Sequence, residues 1–314
     1  MVDNLNIFIT GGAGYLGSIL VPSLLQDGYN VTVLDNFLYE QNSLGHVCAN
    51  RNFELIRGDA RDERLVSEHI KAADVVIPLA ALVGAPLCNK DPNGAITLNR
   101  EAVQMLVGKL GHDQQVIMPI TNSGYGIGTP GKYCTETTPL NPITLYARTK
   151  VEAEGIILAH QSGISLRLAT VFGMAPRMRV DLLVNDFVYR AVNDRAIVLF
   201  ESHFKRNFIH VRDVTRAFQH AISNFGIMKG EAYNVGLSDA NLSKWELCEK
   251  IHSHLPNFVF MEAPIGEDPD KRDYIVSNEK IEATGFKPAY SLDDGIAELI
   301  KGYKMIRNSV YGNL

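Results

Sequence analysis

The first half of the chain alternates short apolar runs with stretches of helical spacing. Apolar, β-branched runs occur at Asn6–Thr10, Val31–Asp35, Phe53–Ile56, Val75–Leu79, Gln115–Thr121 and Ser165–Phe172. Between most of them apolar residues recur at intervals typical of a helix, as in Leu16–Gln26 and Glu101–Leu110. Continuously apolar strands that alternate with helices are typical of a parallel sheet covered on both faces. The pattern therefore predicts an α/β fold with a Rossmann-like, doubly wound parallel sheet.

The alternation ends after Gly173, and the second half of the chain is less regular. Residues 174–203 mix apolar residues with Arg and Asp without strand–helix alternation. Further along, the pattern predicts a strand that enters a helix at Arg206–Asn224 and a short strand at Tyr233–Val235. A helical stretch follows from Leu242, then a loop rich in proline and charge at Pro264–Tyr274, and a final helix from Leu292. We predict a first domain over residues 1–173, to which the chain returns around 204–236, and a smaller substrate-binding lobe over 174–314.

Composition and charge exclude several classes of protein. With 314 residues, of which 46% are hydrophobic, the chain suffices for one large α/β unit with a smaller lobe. The net charge of −5 argues against a general nucleic-acid binder. No apolar run approaches the roughly 20 residues that a membrane span needs, and the first predicted strand leaves no room for a signal peptide. The four cysteines lie far apart without metal-ligand spacing, so we expect a cytoplasmic protein with reduced thiols and no metal site.

A glycine-rich loop follows the first predicted strand and opens the first predicted helix. The sequence Thr-Gly-Gly-Ala-Gly-Tyr-Leu-Gly occupies residues 10–17. Its glycines allow a tight turn, close approach of the backbone to a pyrophosphate, and close packing of helix on strand. The helix N-terminus adds free N–H groups and a partial positive charge. The pattern predicts a dinucleotide site in which Gly11, Gly14, Tyr15, Leu16 and Gly17 contact the cofactor.

A carboxylate follows each of the next two predicted strands. Asp35 ends the second strand, 18 residues after Gly17, and no Arg or Lys occurs in residues 36–39. A carboxylate at that point accepts hydrogen bonds from the adenosine ribose and repels a 2′-phosphate, which favours NAD over NADP. Asp59 follows the third strand, and we expect it to contact the adenine.

A tyrosine and a lysine four residues apart begin a helical segment that runs to Ala159. Tyr146 and Lys150 therefore share one face of the helix. A free phenol has a pKa near 10, which a lysine cation and the positive nicotinamide ring would both lower. The phenolate could then take a hydroxyl proton while a hydride leaves the same carbon. Thr121 ends the fifth predicted strand, where side chains project into the ligand crevice and a hydroxyl can bind the reacting oxygen.

Together these residues resemble the extended short-chain dehydrogenase/reductase family of nucleotide-sugar epimerases and dehydratases. The likeness runs from Thr10 to about Leu299 and keeps the family's spacing from Tyr125 to Tyr146. Arg206–Val214 also matches the strand on the phosphate side of the family's substrate site. Gly285–Pro288 and Leu292–Gly295 match the family's C-terminal signature.

The resemblance implies an NAD-dependent enzyme that acts on a nucleotide sugar and forms a homodimer. It implies that Thr121, Tyr146 and Lys150 are catalytic. It extends the cofactor site to Asn36, Ala60, Leu79, Ala80 and Ala81. It implies a substrate site formed by Asn122, Ser123, Arg177, Arg179, Asn185, Arg206 and Arg272. Guanidinium groups suit the diphosphate because they donate paired hydrogen bonds.

Three departures from the family pattern bear on the chemistry. The fourth strand, which usually ends His-x-Ala-Ala, has Pro78 in place of the histidine. Ala147 and Thr149 replace the usual Gly and Ser between the tyrosine and the lysine. The family's dehydratases carry acidic residues just after the catalytic threonine, where this chain has Asn122 and Ser123. Because neither side chain is a useful acid or base, we expect no elimination of water.

A narrower likeness points to the sugar. Four runs resemble bacterial GDP-heptose 4-dehydrogenases of surface-polysaccharide synthesis, which oxidise C4 of GDP-D-glycero-α-D-manno-heptose. The runs are Pro78–Cys88, Thr121–Gly128, Pro176–Arg179 with Asp181–Phe187, and Gly266–Tyr274. Two alternatives stay open: a nucleotide-sugar 4-epimerase that re-reduces its own keto intermediate, and a non-catalytic NAD-binding sensor. The presence of both Tyr146 and Lys150 weighs against the sensor.

Overall fold

A computed structural model of the protein describes residues 5–266 and 271–306. Its strands are β1 (Asn6–Thr10), β2 (Asn30–Asp35), β3 (Phe53–Arg57), β4 (Val75–Pro78), β5 (Gln115–Thr121), β6 (Tyr133–Cys134), β7 (Gly163–Leu168), β8 (Thr170–Phe172), β9 (Ala196–Leu199), β10 (Lys205–His210), β11 (Ala232–Val235), β12 (Asn241–Ser243), β13 (Val259–Glu262) and β14 (Ile275–Val276). Its helices are α1 (Gly17–Gln26), α2 (Glu63–Ile70), α3 (Ala85–Lys90), α4 (Pro92–Ile96), α5 (Ala102–Val107), α6 (Leu145–Ala159), α7 (Leu183–Asn193), α8 (Val211–Ser223), α9 (Phe225–Met228), α10 (Lys244–His254), α11 (Glu279–Ala283) and α12 (Leu292–Gly302).

A parallel sheet of seven strands forms the centre of the described fold, in the order β11-β7-β5-β4-β1-β2-β3. The chain builds outward from β1 to β3, and then crosses back to place β4 on the other side of β1. The sheet therefore has a topological switch point between β1 and β4, where the carboxyl ends of the strands leave a crevice for ligands. The predicted α/β, Rossmann-like architecture is confirmed.

Burial of both sheet faces explains the continuously apolar strands. Ile7 and Ile9 of β1 pack into one hydrophobic cluster with α1 and α8, whereas Phe8 between them packs into a second cluster with α2 and α5. Side chains alternate between the faces of a strand, so a strand covered on both sides has few positions for a polar residue. This pattern is the reason why the strands of the first half are readable from the sequence.

Smaller sheets are formed mainly by strands of the second half of the chain, joined by β6 and β8 from the first. β10 pairs in parallel with β8 and antiparallel with β12. β9 pairs with β13, and β6 pairs with β14. β11 returns to the edge of the main sheet beside β7. These pairings bring the loops after β5 and β8, together with α7 and α10, around the crevice.

The strands at Asn6–Thr10 and Gln115–Thr121 have the predicted bounds, and the other predicted strands of the first half occur within a residue or two. Two expectations are wrong. The single strand expected over Ser165–Phe172 is divided at Ala169, because β7 belongs to the main sheet and β8 to the sheet with β10. Residues 174–203, in which we expected no strand–helix alternation, contain helix α7 followed by strand β9.

The helix expected over Glu101–Leu110 is also different in form. It begins earlier, as α4, passes through a π-helical turn at Thr97–Glu101, and ends as α5 at Val107. Among residues 5–266 and 271–306, no helix is both long and apolar enough to cross a bilayer. Those residues also contain no group of three His, Cys, Asp or Glu side chains arranged to hold a metal ion.

Candidate active site

One cleft of about 740 Å³ lies over the carboxyl ends of the parallel strands. The glycine loop, the ends of β2, β4 and β5, and the first turns of α6 form one wall. The second half of the chain forms the other wall, with four arginines: Arg177, Arg179, Arg206 and Arg272. The structure brings every residue of the sequence-predicted site to this cleft except Asn122 and Asn185.

The glycine loop forms a cradle that side chains would fill. Gly11 has a φ of 73°, and a Cβ there would lie 2.5 Å from the backbone nitrogen of Ala80. A Cβ on Gly17 would lie 2.2 Å from the carbonyl oxygen of Gly12. The backbone N–H groups of Tyr15 and Leu16 donate no hydrogen bond to other described residues. A narrow cradle with unused N–H groups at the start of α1 fits a pyrophosphate, so the residues present fit a dinucleotide.

Asp35 ends β2, and its carboxylate connects the glycine loop to the loop after β2. Its carboxylate accepts the N–H of Ala13 at 2.9 Å and the N–H of Phe37 at 2.7 Å. Burial raises the pKa of Asp35, and the two backbone hydrogen bonds oppose that rise. An ionised carboxylate offers about four lone-pair sites, so acceptor capacity remains for ribose hydroxyls. Neighbouring Asn36 lines the cleft and accepts the N–H of Leu38 at 3.0 Å.

Asp59 is held by a residue that the sequence reasoning missed. Arg61, two residues later, donates to both carboxylate oxygens of Asp59, and the contact lowers the pKa of Asp59. Arg61 also donates to Thr97 Oγ1 at 3.3 Å. Asp59 and Ala60 line the cleft, whereas Leu79, Ala80 and Ala81 line it from the end of β4. The adenine contact expected of Asp59 stays a prediction.

Tyr146 and Lys150 reach the cleft from one face of α6, whose N-cap is Thr144. Lys150 is 3% exposed, and burial lowers its pKa to about 8. Burial raises the pKa of Tyr146 to about 12, whereas Arg179, Arg272 and a hydrogen bond with Thr121 act to lower it. The two arginines therefore lie near enough to stabilise a phenolate, a role that the sequence reasoning gave to Lys150 and the cofactor.

Thr121 and Ser123 form a small hydrogen-bonded group at the end of β5. The Thr121 hydroxyl donates to Ser123 Oγ at 2.9 Å and accepts the Ser123 N–H at 3.1 Å. Arg272 also donates to Ser123 Oγ. Residues 267–270 of the run at Gly266–Tyr274 lie outside the described residues. The position at which the family's dehydratases carry an acid thus holds a hydroxyl in contact with a guanidinium.

Two of the predicted substrate contacts lie behind the wall of the cleft. Asn185 is fully buried; its Oδ1 accepts the Gly173 N–H at 3.0 Å, and its Nδ2 donates to the Arg179 carbonyl at 2.8 Å. Its amide is therefore occupied in holding the loop after β8. Asn122 is 1% exposed and its side chain does not line the cleft. Neither residue lines the cleft in this structure, and the contact of these two amides with the substrate stays a prediction.

The predicted arginines are held in different ways. Arg179 forms an ion pair with Asp181 at 2.5 Å. Arg206 lies 5.6 Å from the ring centroid of Tyr274, and Arg177 lies 3.9 Å from that of Tyr39. Tyr39 was missed by the sequence reasoning, although an aromatic residue in the loop after β2 is a signal that could have found it.

Comparison with known proteins gives the family. The model of the NAD dependent epimerase/dehydratase family matches residues 7–236. The chain is 28% identical to the low-salt glycan biosynthesis protein Agl12 of Haloferax volcanii, over 95% of this chain and 98% of that protein. It is 27% identical to dTDP-glucose 4,6-dehydratase of Streptomyces niveus, over 96% of this chain and 93% of that protein.

The fold is similar to that of solved structures. The crystal structure of dTDP-glucose 4,6-dehydratase from Bacillus anthracis in complex with NAD superposes with a TM-score of 0.81, at 23% identity and 98% coverage of both chains. Because the family model matches well over half of the sequence, the protein belongs to the NAD-dependent epimerase/dehydratase family and is an enzyme that uses NAD.

Proposed function

We propose that the protein oxidises the C4 hydroxyl of a nucleotide sugar and leaves the other oxygens of the sugar in place. The observation that carries this proposal is the meeting of Thr121, Tyr146 and Lys150 in a cleft whose residue 123 is a serine bound by Arg272. The relatives named above include nucleotide-sugar dehydratases, which supports a nucleotide sugar as the substrate class.

Tyr146 takes the proton of the C4 hydroxyl in this reaction. Its phenolate must form in a buried site, and the nearby cations of Arg179 and Arg272 favour that form. When the sugar binds, the Thr121 hydroxyl, which otherwise donates to Ser123 Oγ, would turn to donate to the reacting oxygen. Lys150 holds a positive charge on the same face of α6 as Tyr146. Bound NAD supplies the acceptor for the hydride. A positioned proton acceptor contributes about 10²–10⁴-fold to such a reaction.

Elimination of water from a 4-keto sugar needs a base at C5 and an acid for the leaving hydroxyl. The chain offers Asn122 and Ser123 at the positions that the family's dehydratases use. The Asn122 amide is buried away from the cleft, and the Ser123 hydroxyl accepts from Arg272. A hydroxyl that accepts a hydrogen bond from a cation is a poor base. The product therefore keeps all the sugar oxygens.

We propose GDP-D-glycero-α-D-manno-heptose as the substrate and its 4-keto form as the released product. The support is the resemblance of four runs to GDP-heptose 4-dehydrogenases. Each run contributes residues to the cleft, among them Leu82, Thr121, Arg179 and Arg272. Three arginines along one wall, Arg179, Arg206 and Arg272, suit a diphosphate. A role in surface-polysaccharide synthesis follows from the same resemblance.

The test is reaction of the purified protein with NAD and this GDP-heptose, followed by mass spectrometry and NADH absorbance. A product that has lost two hydrogens, with NADH formed, is the expected result. A product that has lost a molecule of water would overturn the exclusion of elimination. A product of unchanged mass with inverted C4 would show the 4-epimerase instead. UDP-glucose, tested under the same conditions, serves as the control for the nucleotide.

A further inference from the structure

Two loops from opposite sides of the cleft meet in one contact. Tyr39 lies in a turn after β2 that is closed by a hydrogen bond from the Glu40 N–H to the Phe37 carbonyl, at 2.9 Å. Arg177 lies in the loop after β8. The guanidinium carbon of Arg177 is 3.9 Å from the ring centroid of Tyr39, and both side chains line the cleft. The contact therefore joins the nucleotide-binding side of the molecule to the opposite wall.

Arg177 is fixed in place to an unusual degree. It is 1% exposed and is the largest fully buried side chain among the described residues. Its backbone N–H donates to Ser18 Oγ in the first turn of α1, at 3.3 Å, and its guanidinium donates to the Met178 carbonyl. Arginine is almost never fully buried unless it has partners. A cation over an aromatic ring is also worth most where water is excluded, as it is here.

The loop that carries Tyr39 is fastened to the glycine cradle at both ends. The Phe37 N–H donates to Asp35 at 2.7 Å, and Ser43 Oγ donates to the Ala13 carbonyl at 2.7 Å. Phe37 and Glu40 have φ values of 55° and 50°. Residues other than glycine rarely adopt this conformation, which persists only where the surroundings enforce it. The loop is therefore held in the shape that presents Tyr39 to Arg177.

We propose that Tyr39 and Arg177 form a clasp that closes over the cofactor and retains it. This inference moves Arg177 from the substrate diphosphate, where the family resemblance put it, to the cofactor. It rests on NAD binding and is independent of the sugar oxidised. Because Tyr39 and Arg177 come from opposite walls, a dinucleotide held beneath their contact would leave only after the contact breaks. Loss of the clasp therefore acts mainly on the dissociation rate of the cofactor.

The test measures release of NADH, whose fluorescence falls when an excess of NAD displaces it in a stopped-flow experiment. Tyr39→Leu and Arg177→Met should each speed release by roughly tenfold to thirtyfold, the range that a desolvated cation–π contact supports. Tyr39→Phe keeps the ring but removes the hydroxyl that hydrogen-bonds with Arg177, so its release rate should lie between those of the native protein and Tyr39→Leu. Tyr133→Leu is the matched control, since Tyr133 is 56% exposed and lies outside the cleft.

The double variant Tyr39→Leu/Arg177→Met separates a clasp from two independent effects. If the residues act through one contact, it releases NADH no faster than the faster single variant. Multiplied effects, or native release rates in both single variants, would overturn the clasp. If Arg177→Met does not fold, Tyr39→Leu decides, because a native release rate from that variant contradicts the clasp. No sugar is present, so failure of the proposed oxidation leaves this result unaffected.

Discussion

The Glu154 carboxylate and the Arg167 guanidinium form a buried ion pair that joins α6 to β7. Arg167 donates to Glu154 through Nη2 at 2.6 Å and through Nε at 2.9 Å, and the side chains are 7% and 5% exposed. Arg167 also donates to the Tyr125 hydroxyl at 3.0 Å. Glu154 follows Lys150 by one helical turn, so the pair fixes the helix that presents Tyr146 and Lys150.

We expect Glu154→Gln to destabilise the fold by about 3–5 kcal/mol, because it leaves Arg167 buried without its counter-ion. Urea unfolding followed by circular dichroism measures the change. Glu152→Gln on the same helix is the matched control: it breaks an exposed pair with Arg100, and such pairs contribute little to stability. Equal losses in the two variants would contradict a structural role for the buried pair.

This pair shows where sequence reasoning stops. The glycine loop, Asp35, Thr121 and the Tyr146/Lys150 spacing are local patterns with a physical meaning, and the sequence is sufficient to bring them to one cleft. The partner of Glu154 lies on another strand, and nothing in the local sequence indicates it. Contacts of that kind depend on the tertiary fold.

The same limit explains why the sequence did not show how the predicted substrate residues are held. Asn185 matches a family position, but its amide is used by the Gly173 N–H and the Arg179 carbonyl. Arg177 matches the expected basic wall, but its guanidinium packs on Tyr39. Residue type indicates what a side chain can bind, whereas the fold decides which partner is nearest. α7 was missed for a different reason: its apolar face, with Val184, Phe187 and Val188, was present in the sequence and was not recognised.

Tyr146→Phe should bind NAD normally and lose about 10²–10⁴-fold in turnover, because the variant keeps the ring and removes the proton acceptor. Cofactor binding is measured by fluorescence titration and turnover by NADH absorbance with the GDP-heptose. Tyr133→Phe provides the matched control at an exposed position. A Tyr146→Phe enzyme with a near-native rate would remove Tyr146 from the mechanism.

The native protein should bind NAD at least tenfold tighter than NADP, a difference of about 1.4 kcal/mol, because the Asp35 carboxylate repels a 2′-phosphate. Asp35→Ala should reduce this difference between the affinities for NAD and NADP. Asp35→Asn keeps the size and an acceptor for the Ala13 or Phe37 N–H but removes the charge. Isothermal titration calorimetry gives the six affinities, those of the three proteins for NAD and for NADP. If the preference for NAD falls in Asp35→Ala but not in Asp35→Asn, it depends on the hydrogen bonds from the Ala13 and Phe37 N–H groups rather than on charge.

We propose a homodimer that packs α6 and the α4–α5 segment into a two-fold four-helix bundle, since symmetric dimers are the commonest oligomers. Val103 and Ile157 are buried against the sheet, whereas Val151, Ile156 and Leu158 are partly exposed on α6. Light scattering at micromolar concentration should give a dimer mass, and Ile156→Lys should give a monomer. A native monomer would refute the proposal.

Lys150→Met should make the fold more stable at neutral pH, although it damages the site. Burial lowers the pKa of Lys150 from 10.5 to about 8. Between those values the unfolded chain holds the proton and the folded chain does not, so the free energy of unfolding rises with pH. The burial cost, up to about 3 kcal/mol, is complete below pH 8 and disappears above pH 10.5.

Urea unfolding should therefore show Lys150→Met more stable than the native protein at pH 7, with an advantage that shrinks as the pH rises. Lys71→Met, at an exposed lysine, should stay within about 0.5 kcal/mol of the native protein throughout. An advantage of Lys150→Met that is absent at pH 7, or independent of pH, would contradict a buried ammonium at this position.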